Sequence, residues 1–140
     1  MSKTPFSPRI AVLIDSDNIS SNYVEQIHNF ACAIGTVKIC NAYGDWKKPP
    51  LASHRISLRK LKVKSVQVDR TGKDSTDKKL LIEAGKLLGQ GKIDVFIIVS
   101  GDGDFRLLCE DIKQEGKIVI GIGGEQNTSK HLASACHHFF

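Results

Sequence analysis

Ile93-Asp94-Val95-Phe96-Ile97-Ile98-Val99-Ser100-Gly101-Asp102-Gly103-Asp104-Phe105 is the stretch from which the fold can be read. Its apolar, β-branched part has the length of a buried strand, and it stops in two carboxylates separated by glycine. A second run, Ile10-Ala11-Val12-Leu13-Ile14, stops in the same way at Asp15-Ser16-Asp17-Asn18. Runs without polar alternation are what strands of a parallel sheet look like when helices cover both faces.

On either side of these runs, helical segments fall between the strands. Tyr23, Ile27, Phe30 and Ala31 recur at helical spacing after Ser20-Ser21-Asn22, and Gly35 ends that helix. A second strand is expected over Thr36 to Tyr43, a basic helix from about Leu51 to Leu61, and a third strand over Val63 to Val68. A helix from Thr76 to Leu88 precedes the Ile93 strand. Another from Phe105 to Gln114 precedes a fifth strand, Lys117 to Ile122, and Ser129 to His137 has the composition of a short last helix. Strand–helix alternation implies crossover connections. The expected architecture is therefore α/β, a three-layer α/β/α sandwich on a mainly parallel five-stranded sheet. Residues 1–9 read as a flexible lead and 10–140 as one domain.

Composition narrows the function classes. The chain has 140 residues, 41% hydrophobic and 25% charged, with net charge +5. No apolar run approaches the roughly 20 residues of a membrane span. The N-terminal residues lack the apolar stretch of a signal peptide, so a cytoplasmic protein is expected. Cys32, Cys40, Cys109 and Cys136 form no CxxC pair, which speaks for reduced thiols rather than zinc or a disulfide framework. The basic residues concentrate at Lys47, Lys48, Arg55, Arg59, Lys60, Lys62 and Lys64, which suggests an anionic partner.

In an open α/β sheet, sites are built at the carboxyl ends of the strands. Acids gathered there repel one another unless a cation sits among them, and oxygen ligands suit hard divalent ions such as Mg²⁺ or Mn²⁺. Asp15, Asp102 and Asp104 arrive by strand, and Asp77 opens the third long helix. Each acid alone also has a structural reading as a helix cap, a turn residue or a partner of the helix dipole. Their joint placement favours a shared site. Glu83, six residues after Asp77, is a weaker candidate. Tyr43 and Trp46 adjoin a loop where a base could stack, with packing against the sheet edge as the competing reading for Trp46.

Three motifs then carry a family resemblance: Ile14-Asp15-Ser16-Asp17-Asn18, Lys73-Asp74-Ser75-Thr76-Asp77, and Ser100-Gly101-Asp102-Gly103-Asp104-Phe105 followed by Leu107-Leu108. Gly116-Lys117 before the last strand and Leu132 near an aromatic-rich end fit the same pattern. In that order they resemble a NYN domain, of the LabA-like or limkain-type branch within the PIN-like nuclease superfamily. The resemblance spans about Ile10 to Phe139.

It implies a PIN-like fold and a metal-dependent endoribonuclease using Mg²⁺ or Mn²⁺. Asp15, Asp77, Asp102 and Asp104 correspond to the metal and catalytic acids. Asn18 and Ser100 match residues beside the substrate, and Lys73, Arg106 and Lys130 are candidates for contacting flanking phosphates. Many relatives carry Asp where this chain has Glu83. RNA, single-stranded or structured, is the implied partner, with no membrane. PIN-like domains often pair, so a homodimer is plausible, and the chain could be one part of a longer multidomain protein. A catalytically weak RNA-binding module of the same fold is the alternative. A phosphotransfer receiver fits the acids after the first strand but not the Ser100–Phe105 loop, and no GxGxxG follows that strand to make a dinucleotide site.

Overall fold

The computed structural model describes residues 7–16, 23–68, 75–100, 105–123 and 138–139. Six strands form one sheet: β1 (Arg9–Asp15), β2 (Thr36–Gly44), β3 (Lys64–Gln67), β4 (Val95–Val99), β5 (Ile118–Ile122) and β6 (His138–Phe139). Their order is β3-β2-β1-β4-β5-β6, and every neighbouring pair is parallel. All five expected strands are present. The sixth, pairing His138 with Ile120 and Phe139 with Gly121, is too short to leave a periodic signal in sequence. The last helix expected over Ser129 to His137 lies outside the described residues.

The central strand explains its own composition. β1 hydrogen-bonds to β2 on one side and β4 on the other, and both its faces are covered, so Ile10 to Ile14 are all fully buried. Side chains alternate between two cores. Ala11 and Leu13 join Phe96, Ile98, Leu80, Ala84, Phe105 and Ile112 under α4 (Ser75–Gln90) and α5 (Arg106–Gln114). Ile10, Val12 and Ile14 join Ile97, Val99, Val24, Ile27 and Ala31 under α1 (Val24–Ile34).

Gly35 ends α1 at a place where no other residue fits. A Cβ there would stand 2.5 Å from the Pro8 carbonyl oxygen and 2.7 Å from Ile10 Cδ1. The chain therefore passes directly from α1 into β2 against the start of β1, with the Thr36 N–H donating to the Pro8 carbonyl at 2.8 Å.

The single basic helix expected from Leu51 to Leu61 is instead two short ones, α2 (Pro49–Ala52) and α3 (Arg55–Lys60), separated by a turn at Ser53-His54. Only Leu58 of α3 is buried, while Ile56 is 71% exposed, so the apolar residues in this stretch do not make one continuous face. α3 ends in a well-formed cap. The Lys62 N–H donates to the Arg59 carbonyl and the Val63 N–H to the Leu58 carbonyl, both at 3.0 Å, while Leu58 and Val63 share the core beneath. This is the double-bonded helix end that normally carries glycine at its left-handed position, held here by Lys62 at φ +61°.

Candidate active site at the carboxyl edge of the sheet

The strand order reverses between β1 and β4. From β1 the chain proceeds outward through β2 to β3, then returns across the sheet by α4 to β4 and continues to β5. The crevice outside the carboxyl ends of two such strands is where open α/β sheets bind ligands. Asp15 and Ser100 stand on either side of it.

Asp15 is the last residue of β1 and is fully buried. It lies level with Tyr43 of β2, and its predecessor Ile14 pairs with Val99 of β4, which places Ser100 beside it. The Ser100 hydroxyl donates to Asp15 Oδ2 at 3.3 Å. Both ladders extend one residue past the strands: the Ser16 N–H donates to the Tyr43 carbonyl at 2.8 Å and the Ser100 N–H to the Ile122 carbonyl at 2.9 Å. The two acid-bearing loops thus start from backbone fixed by the sheet. The Ser16 hydroxyl is also buried and has no hydrogen-bond partner among the described residues.

Asp77 lies in the first turn of α4, which packs on β1 and β2, and its neighbour Thr76 is buried. Arg106 is the first residue of α5 and is exposed. Asn18, Lys73, Asp102, Asp104 and Lys130 lie outside the described residues, as does the side chain of Asp77. Asp15 and Ser100 are therefore brought into contact, and the start of α4 is anchored on the same sheet. Among the described residues no three His, Cys, Asp or Glu side chains converge as a metal cluster.

Glu83 has a different employment. Its Oε1 accepts a hydrogen bond from the Tyr43 hydroxyl at 2.9 Å, and its Oε2 lies 3.4 Å from Lys79 Nζ one turn back. Asn41 Nδ2 in turn donates to the Tyr43 oxygen at 3.1 Å. Burial pushes the Tyr43 phenol well above its usual range, so it stays protonated and able to donate. The Lys79–Glu83 spacing was visible in sequence as an i,i+4 pair; the Tyr43 contact, forty residues away, had no local signal.

The stacking reading of Tyr43 and Trp46 is overturned, because both rings are buried. Trp46 packs in the α1–α3 core, and its indole N–H donates to the carbonyls of Ala42 and Val66, each at 3.1 Å. A buried indole with its one donor satisfied is a structural pin between β2 and β3. The thiols offer no alternative centre. Burial pushes Cys40 up to about 12, keeping it a thiol at neutral pH, and there is no disulfide among the described residues.

A family model describing the NYN domain matches residues 9–140, nearly the whole chain. The chain belongs to the NYN domain family. NYN domains are PIN-like; those that are nucleases are typically dependent on divalent metal, and the family generally binds RNA. The fold of this NYN domain is similar to that of a protein of unknown function from Vibrio parahaemolyticus. That crystal structure superposes with a TM-score of 0.82 at 24% identity over 99% of this chain and 94% of the other, a likeness of fold. No curated protein matches. No helix among the described residues is long and apolar enough to cross a membrane.

Proposed function

We propose that this NYN domain is a metal-dependent endoribonuclease whose centre is the β1–β4 crevice. The observation that carries the reading is the buried Asp15 carboxylate, held by the Ser100 hydroxyl at the point where strand order reverses. A carboxylate taken out of water is expensive unless it serves a charge or a network, so its position at the functional edge counts for more than its mere presence.

The donor chemistry fits Mg²⁺ or Mn²⁺. The candidate ligands Asp15, Asp77, Asp102 and Asp104 are all hard oxygen donors, and no thiol or imidazole belongs to the set. Bound there, such an ion would supply an activated water and neutralise charge developing on a phosphate. The chain's own part is positional. Ser100 fixes the rotamer of Asp15 by donating to one oxygen, and the sheet fixes the backbone of both. Lys73, Arg106 and Lys130 are proposed to hold the flanking phosphates, and Asn18 to orient substrate.

The test is cleavage of labelled RNA in Mn²⁺ or Mg²⁺ and in EDTA, by the wild type and by Asp15→Asn and Asp102→Asn. Each variant should lose about 100-fold or more in rate, as expected when several kcal/mol of electrostatic stabilisation is removed. Binding of RNA with no cleavage under any metal would leave the domain as a binding module.

A further inference from the structure

The net positive charge of this chain comes from one stretch of sequence. Between Trp46 and Val68 there are seven Lys and Arg residues and no Asp or Glu, a charge of +7; with +5 for the whole chain, everything else sums to −2. That stretch builds α2, α3 and β3, and β3 is an edge strand of the sheet. Arg55, Arg59, Lys60, Lys62 and Lys64 are all exposed, and none has an ion-pair partner among the described residues. Arg55 and Arg59 of α3, Lys64 and Ser65 of β3, and the intervening Val63 line a cleft of about 270 Å³.

Two ordinary explanations account for only part of this. A lysine on an edge strand deters strand-to-strand aggregation, which covers Lys64. A charged helix face needs only water, which would cover one arginine. Neither explains why cations from two separate elements line one recess without an intervening acid. Nor does either explain Lys62, a cation standing at the left-handed position where glycine is cheaper.

We propose that the α2–α3–β3 flank is a polyanion track, and that the Arg55–Arg59–Lys64 cleft seats a backbone phosphate of single-stranded RNA upstream or downstream of the bond at Asp15. Lys64 is level with Asn41 and hence with Leu13, two residues below Asp15 and two strands across. Standard strand spacing and rise put the two points about 12 Å apart, close enough for one strand to span. The path turns from the carboxyl edge onto the flank, which a flexible single strand follows and a stiff duplex does not. Arginines suit phosphate by their forked geometry. The track rests on the nuclease reading only for what lies at its far end.

The experiment measures binding of a fluorescent single-stranded oligoribonucleotide of about 16 nucleotides in EDTA, across about 50 to 200 mM KCl. Arg55→Ala/Arg59→Ala/Lys64→Ala should bind roughly tenfold or more weakly at the low-salt end. Its log–log salt slope should shrink by about 2, at about 0.7 for each phosphate no longer neutralised. Arg55→Lys/Arg59→Lys, which keeps the charges, should retain the slope. Lys86→Ala/Lys92→Ala/Lys113→Ala, which removes as much charge elsewhere, should leave affinity and slope nearly unchanged. The inference is overturned if the first variant keeps the wild-type slope, or if the distant variant loses as much. It is also overturned if the wild type ignores RNA while binding phosphatidylserine vesicles through these same residues. Cleavage is read separately in Mn²⁺. Absent cleavage with the slope result intact defeats the nuclease reading alone, and cleavage with an unchanged slope defeats the track alone.

Discussion

At Asp94 one carboxylate ties the lower ends of three strands. The Arg9 guanidinium reaches both of its oxygens at 3.0 Å, the Arg9 N–H donates to Oδ2 at 2.9 Å, and Lys117 Nζ lies 3.9 Å from Oδ1. Backbone bonds complete the knot: the Asp94 N–H donates to the Arg9 carbonyl and the Ile118 N–H to the Asp94 carbonyl. The Arg9 hydrogen bonds hold the Asp94 carboxyl down to about 2, with the Lys117 charge adding less. A depressed carboxyl stabilises the fold fully above its ordinary value near 4 and loses that contribution as pH falls through about 2. Arg9→Ala should therefore unfold at a lower urea concentration than wild type near neutral pH, with the gap closing between about pH 4 and pH 2. Because both side chains are substantially exposed, solvent screening keeps the gap small. Urea midpoints measured down that pH range check it; a gap that widens in acid would refute the assignment.

Among the elements, α3 makes the clearest prediction. Lys62 holds the left-handed position of its cap at a cost of about 1–2 kcal/mol for an L-residue, against roughly 0.5–1 kcal/mol of extra chain entropy for glycine. Lys62→Gly should stabilise the fold by about 0.5–1 kcal/mol, a rise in Tm of about 2–4 °C for a domain of this size. Thermal unfolding reads this directly, and a fall in Tm would mean that the lysine side chain contributes more than the backbone loses.

The same region marks where sequence and structure part. β1 and β4 were legible because complete burial leaves a continuous apolar run, and Asp15 was legible because it ends one. The break at Ser53-His54 was not, since Leu51, Ile56, Leu58 and Leu61 look alike until the fold decides which of them it covers. The Tyr43–Glu83 bond was illegible for the same reason: it depends on α4 crossing back over β2.

For the whole molecule, the proposed site implies a stability linked to metal. A ligand that binds only the folded chain stabilises it by about 2.7 kcal/mol at a hundredfold excess over its Kd. For this size that corresponds to a rise in Tm of about 10 °C. Mn²⁺ should produce such a rise, EDTA should reverse it, and Asp15→Asn should abolish it. A metal-independent Tm would argue against a carboxylate cluster at the crevice.

The position of β1 also sets the timing of assembly on the ribosome. Its β2 partner is made soon after it, but β4 closes the other side only when the chain has grown from Asp15 to Val99. At typical synthesis rates of about 5–20 residues per second, that interval lasts roughly 4–17 s. Through it a strand that the finished protein buries from Ile10 to Asp15 presents an open apolar edge, so the nascent chain is most in need of protection before β4 emerges.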